Sequence, residues 1–347
     1  MKHITWLRDI LLLLFVVLIL HIVSTHIADN VPDQTSYLEW GNKDYAQVAC
    51  YTSKADGFTK DEIMKFEYEL HKDQKENPLW TDCYSGQGNL SVSNGNTTVD
   101  GKAYGVGGNF FVFHPLKLLS GSYIDTENVM KDYILLDEEA AWQLFGSNNV
   151  EGLSVTINGE PLVVAGVFQR PDNRFNNASG NDQITYYVCY EALEKYDELA
   201  AITSYEVIMA NPVKHYARDY ITKSFLSDPE DENKDVIRDM RIIEISDRYS
   251  LSFKWNRLKN FGNNAMDLDE IIYPHWENIA RAYGDVLTLI FFLEILVITI
   301  IIIRLIPCII QMIRFIKREK IADKGKIFII SKIGKTKEKL LDRFRTK

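Results

Sequence analysis

Val286-Leu-Thr-Leu-Ile-Phe-Phe-Leu-Glu-Ile-Leu-Val-Ile-Thr-Ile-Ile-Ile-Ile303 is polar at only three of its eighteen positions, Thr288, Glu294 and Thr299. At about 1.5 Å per residue such a helix covers roughly 27 Å, close to the hydrocarbon thickness of a bilayer. It reads as a membrane span, because a buried core helix seldom strings together so many Leu, Ile, Val and Phe residues. Arg304 and Pro307 interrupt the run. Cys308 to Ile316 carries it on with Gln311 and Arg314 added, the pattern of a helix leaving through the headgroups.

A second apolar run lies at the other end of the 347-residue chain, where Ile10 to Val23 is almost wholly hydrophobic and is preceded by Lys2 and Arg8. A cleaved signal peptide would begin the same way, but the following His-Ile-Val-Ser-Thr-His-Ile-Ala-Asp offers no clear small-x-small site, and an uncleaved anchor is the favoured reading. Charge then sets the orientation. From Lys317 to the end there are twelve Lys and Arg against four Asp and Glu, whereas 23 bases face 42 acids between Ile10 and Asp285. The positive-inside tendency places both basic ends in the cytoplasm and the long acidic segment outside, with the ends free to touch anionic headgroups. The expected order is a cytoplasmic N-terminus (1–9), a first span (10–28), an external domain (29–285), a second span (286–313) and a basic tail (314–347).

The external segment reads as α+β. Tyr45 to Thr52 is strand-like, Thr59-Lys-Asp-Glu is a capping box with Ile63, Phe66 and Leu70 on one helical face, Asn77 to Gly95 is turn-rich, and Thr97 to Val106 looks like the returning strand. A similar unit follows later. Tyr205 to Met209 is strand-like, Pro212 opens a helix through Val213, Tyr216, Tyr220 and Phe225, Ser227 to Lys234 is an acidic loop, and Met240 to Ile245 is a strand. Two such units suggest a split ferredoxin-like lobe. Between them, about 115–196, lies a β-rich insertion containing a strand at Tyr133 to Leu136, a helix stopped by Gly146, and a hairpin turning at Asn158-Gly159. Tyr249 to Ala282 is mostly helical, broken near Asn260 to Asn264 and at Pro274, and forms a stem (about 249–285) leading to the second span. The fold class is therefore α+β, a two-lobed extracytoplasmic domain between two transmembrane helices.

Catalytic motifs are wanting. There is no nucleophile elbow, metal-ligand helix or phosphate loop: Gly105-Val-Gly107-Gly108 has the wrong spacing, and Gly334-Lys-Thr336 lacks a glycine five positions earlier, where Ile329 stands. His71, His114, His215 and His275 sit in unrelated contexts. No catalytic, cofactor or metal residue is assigned, and no nucleic-acid partner is expected. Among four cysteines, Cys50 and Cys83 are the pair an oxidising compartment could join, although nothing in the sequence fixes their distance. Sequons at Asn89, Asn96 and Asn177 mark polar surface loops.

Glu294 is the informative polar residue. It lies about nine residues, roughly 12 Å, into its span, where an unpaired charge costs several kcal/mol. His21 lies at a matching depth in the first span, so the two form a candidate intramembrane pair; a helix of another subunit or snorkelling to the surface is the alternative for Glu294. In the tail, Ile327, Ile330, Ile333 and Leu340, Leu341, Phe344 have helical spacing among lysines, which suits an amphipathic helix on the membrane or against a cytoplasmic partner.

Three segments together resemble the extracytoplasmic core domain of MacB-like, FtsX-superfamily ABC transporter permeases. They are Gly107-Gly-Asn-Phe-Phe-Val-Phe-His-Pro-Leu-Lys-Leu-Leu-Ser-Gly121, Tyr133-Ile-Leu-Leu-Asp-Glu-Glu-Ala-Ala-Trp-Gln-Leu-Phe-Gly146, and Gly152-Leu-Ser-Val-Thr-Ile-Asn-Gly159 with Leu162-Val-Val-Ala-Gly-Val-Phe168. The resemblance implies a non-enzymatic permease-type subunit of an ABC transport or mechanotransmission system in the inner (plasma) membrane of a bacterial envelope. ATP would be hydrolysed by a separate cytoplasmic ABC ATPase, and a second permease subunit or further copies of this chain would complete the assembly. The tail, with Ile327, Ile330, Ile333, Gly334 and Leu340, is similar to the coupling segment of these permeases, although Lys326 replaces the acidic residue usual before it. Such permeases continue into two further spans, so the chain is expected to be a two-span member or part of a longer one. A membrane-anchored sensor or adhesion-type binding module without an ATPase is the alternative from another class, and an extracytoplasmic hydrolase a distant third.

Overall fold

The computed structural model describes residues 2–29, 31, 45–73, 80–226, 239–262, 265–267 and 273–345, and for 2–5, 308 and 315–345 it describes the backbone only. The chain divides into two compact units, Met1–Ser24 with Ile290–Lys347, and Thr25–Leu289.

The larger unit is built on one ten-stranded sheet. Its first half contains β1 (Tyr45–Thr52), α2 (Lys60–Asp73), β2 (Thr81–Ser93), β9 (Ile202–Ala210), α7 (Tyr216–Leu226) and β10 (Met240–Glu244), α1 being the N-terminal helix Lys2–Asp29. The strands lie in the order β10-β1-β9-β2 with every neighbouring pair antiparallel. Numbered within the lobe this is 4-1-3-2, the ferredoxin-like arrangement. Thr59 caps α2 as its sequence predicts: its backbone N–H donates to Glu62 Oε2 at 2.8 Å, and the Glu62 N–H donates back to Thr59 Oγ1 at 3.2 Å. Ile63, Phe66 and Leu70 of that helix are buried against the sheet, and each apolar side chain so buried contributes about 1.5–3 kcal/mol.

Between β2 and β9 the chain makes a long excursion. It passes through β3 (Thr98–Gly108), α3 (Phe110–Phe113), β4 (Lys117–Gly121), β5 (Tyr133–Asp137), α4 (Glu138–Phe145), β6 (Ser154–Ile157), β7 (Glu160–Gln169), α5 (Arg174–Ala178), β8 (Thr185–Cys189) and α6 (Tyr190–Tyr196). These strands extend the sheet as β3-β8-β5-β7-β4, with β6 against β7 and touching the end of β2. Asp137 caps α4, accepting from the N–H groups of Glu139 and Ala140 at 2.6 and 3.2 Å, and Gly146 ends it in the left-handed conformation (φ 71°). Asn158 (φ 51°) and Gly159 (φ 85°) make the tight turn between β6 and β7.

Several expectations need correction. Thr81–Ser93 is a thirteen-residue strand where turns were expected. Its glycines admit close neighbours: a Cβ at Gly86 would lie 2.4 Å from the Ala201 carbonyl oxygen, and one at Gly88 2.5 Å from Asp197 Oδ2. β2, not β3, therefore pairs with β9; β3 folds back along β2 and leads out to β8. Asn89 lies within that strand rather than a loop. The helix expected from Pro212 begins at Tyr216, after His215 adopts a positive φ of 69°. β4, with only Lys117–Gly121, had no distinct sequence signal. The acidic loop at Ser227 to Lys234 and most of the connector after the first span lie outside the described residues.

Cys50 and Cys83 are both buried and are not joined in a disulfide. Cys50 sits opposite Tyr205 and Cys83 opposite Glu206, and successive residues of a strand point to opposite faces, so the two thiols lie on opposite sides of the sheet.

The stem follows β10 through a short 3₁₀ turn, Ile245–Asp247, then α8 (Leu251–Lys259) and the start of α9 (His275–Arg345). In the smaller unit, α1 and the later part of α9 lie side by side and antiparallel. Trp6 Nε1 donates to the Arg304 carbonyl at 3.3 Å, and Arg304 lies 3.9 Å from Asp9. Their outward residues, such as Leu11, Phe15, Leu18, Phe292 and Ile302, are exposed and apolar, as a lipid-facing surface requires. Both helices are long and apolar enough to cross a membrane, with mean hydropathies of 2.7 and 3.1. Pro307 does not end α9; the helix passes through it. Proline is tolerated in such helices when neighbours and local backbone adjustment re-satisfy the freed carbonyl.

Candidate functional site

The joint between the sheet and the first turns of α9 is the most unusual chemistry in the larger unit. Strand β9 reads Ile202-Thr-Ser-Tyr-Glu-Val-Ile-Met-Ala210 and is buried along almost its whole length, so Glu206 in its middle must find partners inside the protein. It finds four. Glu206 Oε2 accepts from Gln47 Nε2 at 3.0 Å, and Oε1 accepts from Tyr51 OH at 3.3 Å and Trp276 Nε1 at 3.1 Å and lies 3.0 Å from His114 Nε2. Burial alone would raise this carboxyl's pKa, but the neighbouring His114 and the donors from Gln47 and Trp276 bring it below the ordinary glutamate value.

The next residues of α9 continue the pattern. His275 Nδ1 lies 3.1 Å from Tyr104 OH, and burial, with Lys102 and His114 nearby, pushes its pKa down to about 3, so the ring is neutral at physiological pH. Glu277 meets Arg248 at 2.6 Å with both side chains almost fully enclosed; burial raises the carboxyl and Arg248 pulls it back. Asn278 accepts from the Asp267 N–H at 3.1 Å. One turn further on, Arg257 of α8 pairs with Asp285 at 2.9 Å and donates to the Arg281 carbonyl at 2.7 Å. It lies so close to α9 that a Cβ on Gly284 would come within 2.9 Å of its guanidinium carbon. Aromatic contacts complete the seat: Trp276 stacks near His114, Phe110 and Tyr104 with ring centroids 4.3–5.5 Å apart.

Such a joint is made of hydrogen bonds and ring contacts that converge on the head of α9. What it provides is directional attachment, since a hydrogen-bonded carboxylate among apolar groups fixes one seating of the helix where a greasy contact would allow several. The sequence reading passed over Glu206, Trp276, Arg248 and Glu277 and left His114 and His275 as scattered histidines. The available signal was an acid in the centre of an apolar strand, answered by Trp276-Glu277 at the head of the stem helix.

The other histidines lie apart. His71 packs edge-on against Trp80 at 5.1 Å, and His215 contacts Glu244. Among the described residues no three His, Cys, Asp or Glu side chains converge as metal ligands. A wider depression of about 690 Å³ lies on the excursion, lined by Asn89, Asp100, Lys102, Glu139 and Asp182. In the smaller unit His21 Nδ1 lies 3.8 Å from Glu294 Oε1, with Glu294 mostly covered and His21 mostly exposed. Ile327, Ile330, Ile333, Gly334 and Leu340 fall within α9, and their side chains lie outside the described residues.

The larger unit is a mixed α/β domain, a ferredoxin-like lobe extended by an inserted β-rich lobe, in a chain with two helices long and apolar enough to cross a membrane. The profile of the MacB-like periplasmic core domain matches residues 12–213, more than half of the chain, and the chain belongs to that family. Over 85 residues it is 31% identical to the macrolide export ATP-binding/permease protein MacB of Neisseria gonorrhoeae, and equally to that of Neisseria meningitidis. That match covers 24% of this chain and 13% of the relative's length. Among solved structures, the periplasmic region of MacB from Actinobacillus actinomycetemcomitans aligns at 16% identity and a TM-score of 0.40, covering 63% of this chain and 94% of that one. The extracellular domain of the noncanonic ABC-type transporter YknZ from Gram-positive bacteria aligns at 13% identity and a TM-score of 0.39, covering 57% and 99%.

Proposed function

We propose that the chain is a permease-type membrane subunit of an ABC transport or mechanotransmission system, with both termini in the cytoplasm. Its external domain binds a partner or substrate, and a separate cytoplasmic ATPase hydrolyses ATP. The observation that carries this reading is the joint at residues 275–278: α9, the helix whose later residues are apolar enough to cross the membrane, begins as a buried, hydrogen-bonded part of the external domain. A helix attached through directional bonds passes on a displacement of the domain that a flexible linker would absorb. In this reading His21 and Glu294 pair within the membrane, Ile327 to Leu340 contacts the ATPase, and a second permease subunit or further copies of the chain complete the pathway.

Purification of the full chain in mild detergent tests the proposal. Co-purification of an ABC ATPase whose turnover changes when the chain is present is the expected result. An isolated homomer that neither binds nor alters an ATPase would refute it and favour an anchored sensor or adhesion module.

A further inference from the structure

A cleft of about 260 Å³ opens in the larger unit between β10, the 3₁₀ turn, α8 and the first turns of α9. Four arginines line it: Arg218, Arg248, Arg257 and Arg281. The acids around it are already engaged. Glu277 holds Arg248 at 2.6 Å, Asp285 holds Arg257 at 2.9 Å, Asp247 faces Lys214 at 3.7 Å, and Glu244 contacts His215. Among the described residues no carboxylate lies within 4.0 Å of Arg218 or Arg281. Arg281 is nevertheless fixed in place: its Nε donates to the Ala265 carbonyl at 2.8 Å, and its guanidinium lies 4.5 Å from the centre of the Tyr273 ring. Arg248, almost fully enclosed, keeps an Nε with no hydrogen-bond partner among the described residues.

Two arginines without carboxylate partners, in a cleft whose remaining charges are paired, present planar forks to an oxyanion with several oxygens. The cleft is smaller than the roughly 300 Å³ at which pockets for drug-sized molecules begin, which suits a compact group. Its position narrows the source. Arg281 stands five residues before Val286, where the apolar run begins, a helical rise of about 7.5 Å. Headgroups extend about 5–8 Å beyond the hydrocarbon on each side of a bilayer, so with α9 spanning the membrane Arg281 stands at their level.

We propose that this cleft binds a phosphate group, presented by the headgroup of an anionic phospholipid of the outer-facing leaflet. The inference rests on α9 spanning the membrane in the orientation proposed above and is independent of any ATPase. The test uses the full chain in mild detergent, titrated with short-chain dihexanoyl phosphatidylglycerol in one arm and inorganic phosphate in the other, with bound ligand read by native mass spectrometry. The lipid is expected to bind. Arg218→Gln should weaken it about tenfold and the Arg218→Gln/Arg281→Gln pair about a hundredfold, each loss being that of one charge-assisted contact. Arg218 is exposed on α7, so its substitution leaves the fold intact, and circular dichroism checks the pair. Phosphate binding with the same sensitivity, and no lipid binding, would uphold the phosphate site and assign it to the free ion. Binding of neither ligand, or binding unchanged in the variants, would overturn the proposal.

Discussion

Replacing Glu206 separates two ways in which the joint could be held. Glu206→Ala removes the acceptor of Gln47, Tyr51 and Trp276 and the partner of His114, four polar groups on a buried face. A buried donor left unsatisfied costs about 1–3 kcal/mol; with partial relaxation and water entry the loss should total about 3–5 kcal/mol. Glu206→Gln behaves differently. Three of the contacts converge on Oε1, which an amide oxygen can replace, while the new NH₂ at the Oε2 position faces Gln47. Gln47 can rotate its amide to accept, because its own Oε1 is unpartnered among the described residues. The Gln variant therefore loses the charge and little geometry, roughly 1 kcal/mol. For a domain of this size a kcal/mol moves the melting temperature by about 2–4 °C, so the expected shifts are on the order of 10 °C for Ala and about 3 °C for Gln. Thermal unfolding of the full chain in detergent, followed by tryptophan fluorescence, measures both.

The pH dependence sharpens the same test. Glu206 is held below its ordinary pKa, so its contribution is present above about pH 4.5 and is lost as pH falls through the folded value. His275 acts earlier. Its pKa falls to about 3 in the folded protein against about 6.5 unfolded, so stability is complete above pH 6.5 and declines as pH drops toward 3. Glu206→Gln should abolish the lower limb and leave the upper one. Equal melting shifts for Ala and Gln, or an Ala shift below about 2 °C, would refute the account of the joint.

The remaining predictions are simpler. Gly86→Ala drives a Cβ to 2.4 Å from the Ala201 carbonyl and should cost more than about 3 kcal/mol, whereas Gly159→Ala, with open space around it and only a positive φ to strain, should cost about 1 kcal/mol; unfolding midpoints of the two variants compare them directly. Cys50, Cys83 and Cys189 should resist maleimide at pH 8 until denaturant is added, since all three are buried and burial pushes the Cys189 thiol up to about 11; a change in gel mobility on reduction would show a disulfide and contradict the structure. A double-mutant cycle on His21→Ala and Glu294→Ala should give a coupling of about 0.6–2 kcal/mol in membrane assembly, and zero coupling would reject the pairing.

The parts of this molecule that were legible beforehand are those whose signal is local. A capping box at Thr59, an Asn-Gly turn at 158–159, a helix-ending glycine at 146 and an eighteen-residue apolar run each declare themselves within a few residues. The ferredoxin-like lobe followed, because it is two copies of a local strand-helix-strand pattern. β2 was missed for the opposite reason. Its glycines are ordinary turn markers in a single sequence, and only the packing of Ala201 and of Asp197, at the end of α6, gives them a purpose within a strand. His21 and Glu294 were paired by depth alone, which antiparallel helices make countable; Nδ1 and Oε1 lie 3.8 Å apart, and their coupling is what the double-mutant cycle measures.

The joint was illegible because its members come from widely separated stretches of chain, among them Gln47 and Tyr51, Tyr104, His114, Glu206, Arg248, and residues 275–278, which meet only after the 4-1-3-2 strand order has formed. That dispersal bears on function. Glu206 sits on the strand flanked by β1 and β2, so any partner that shifts either strand alters the acceptor geometry at once for Trp276 at the head of α9. A buried carboxylate costs stability that an apolar residue of the same volume would not. Its compensation is that the hydrogen bonds to Glu206 hold the head of α9 in one seating, which a purely apolar contact would leave looser.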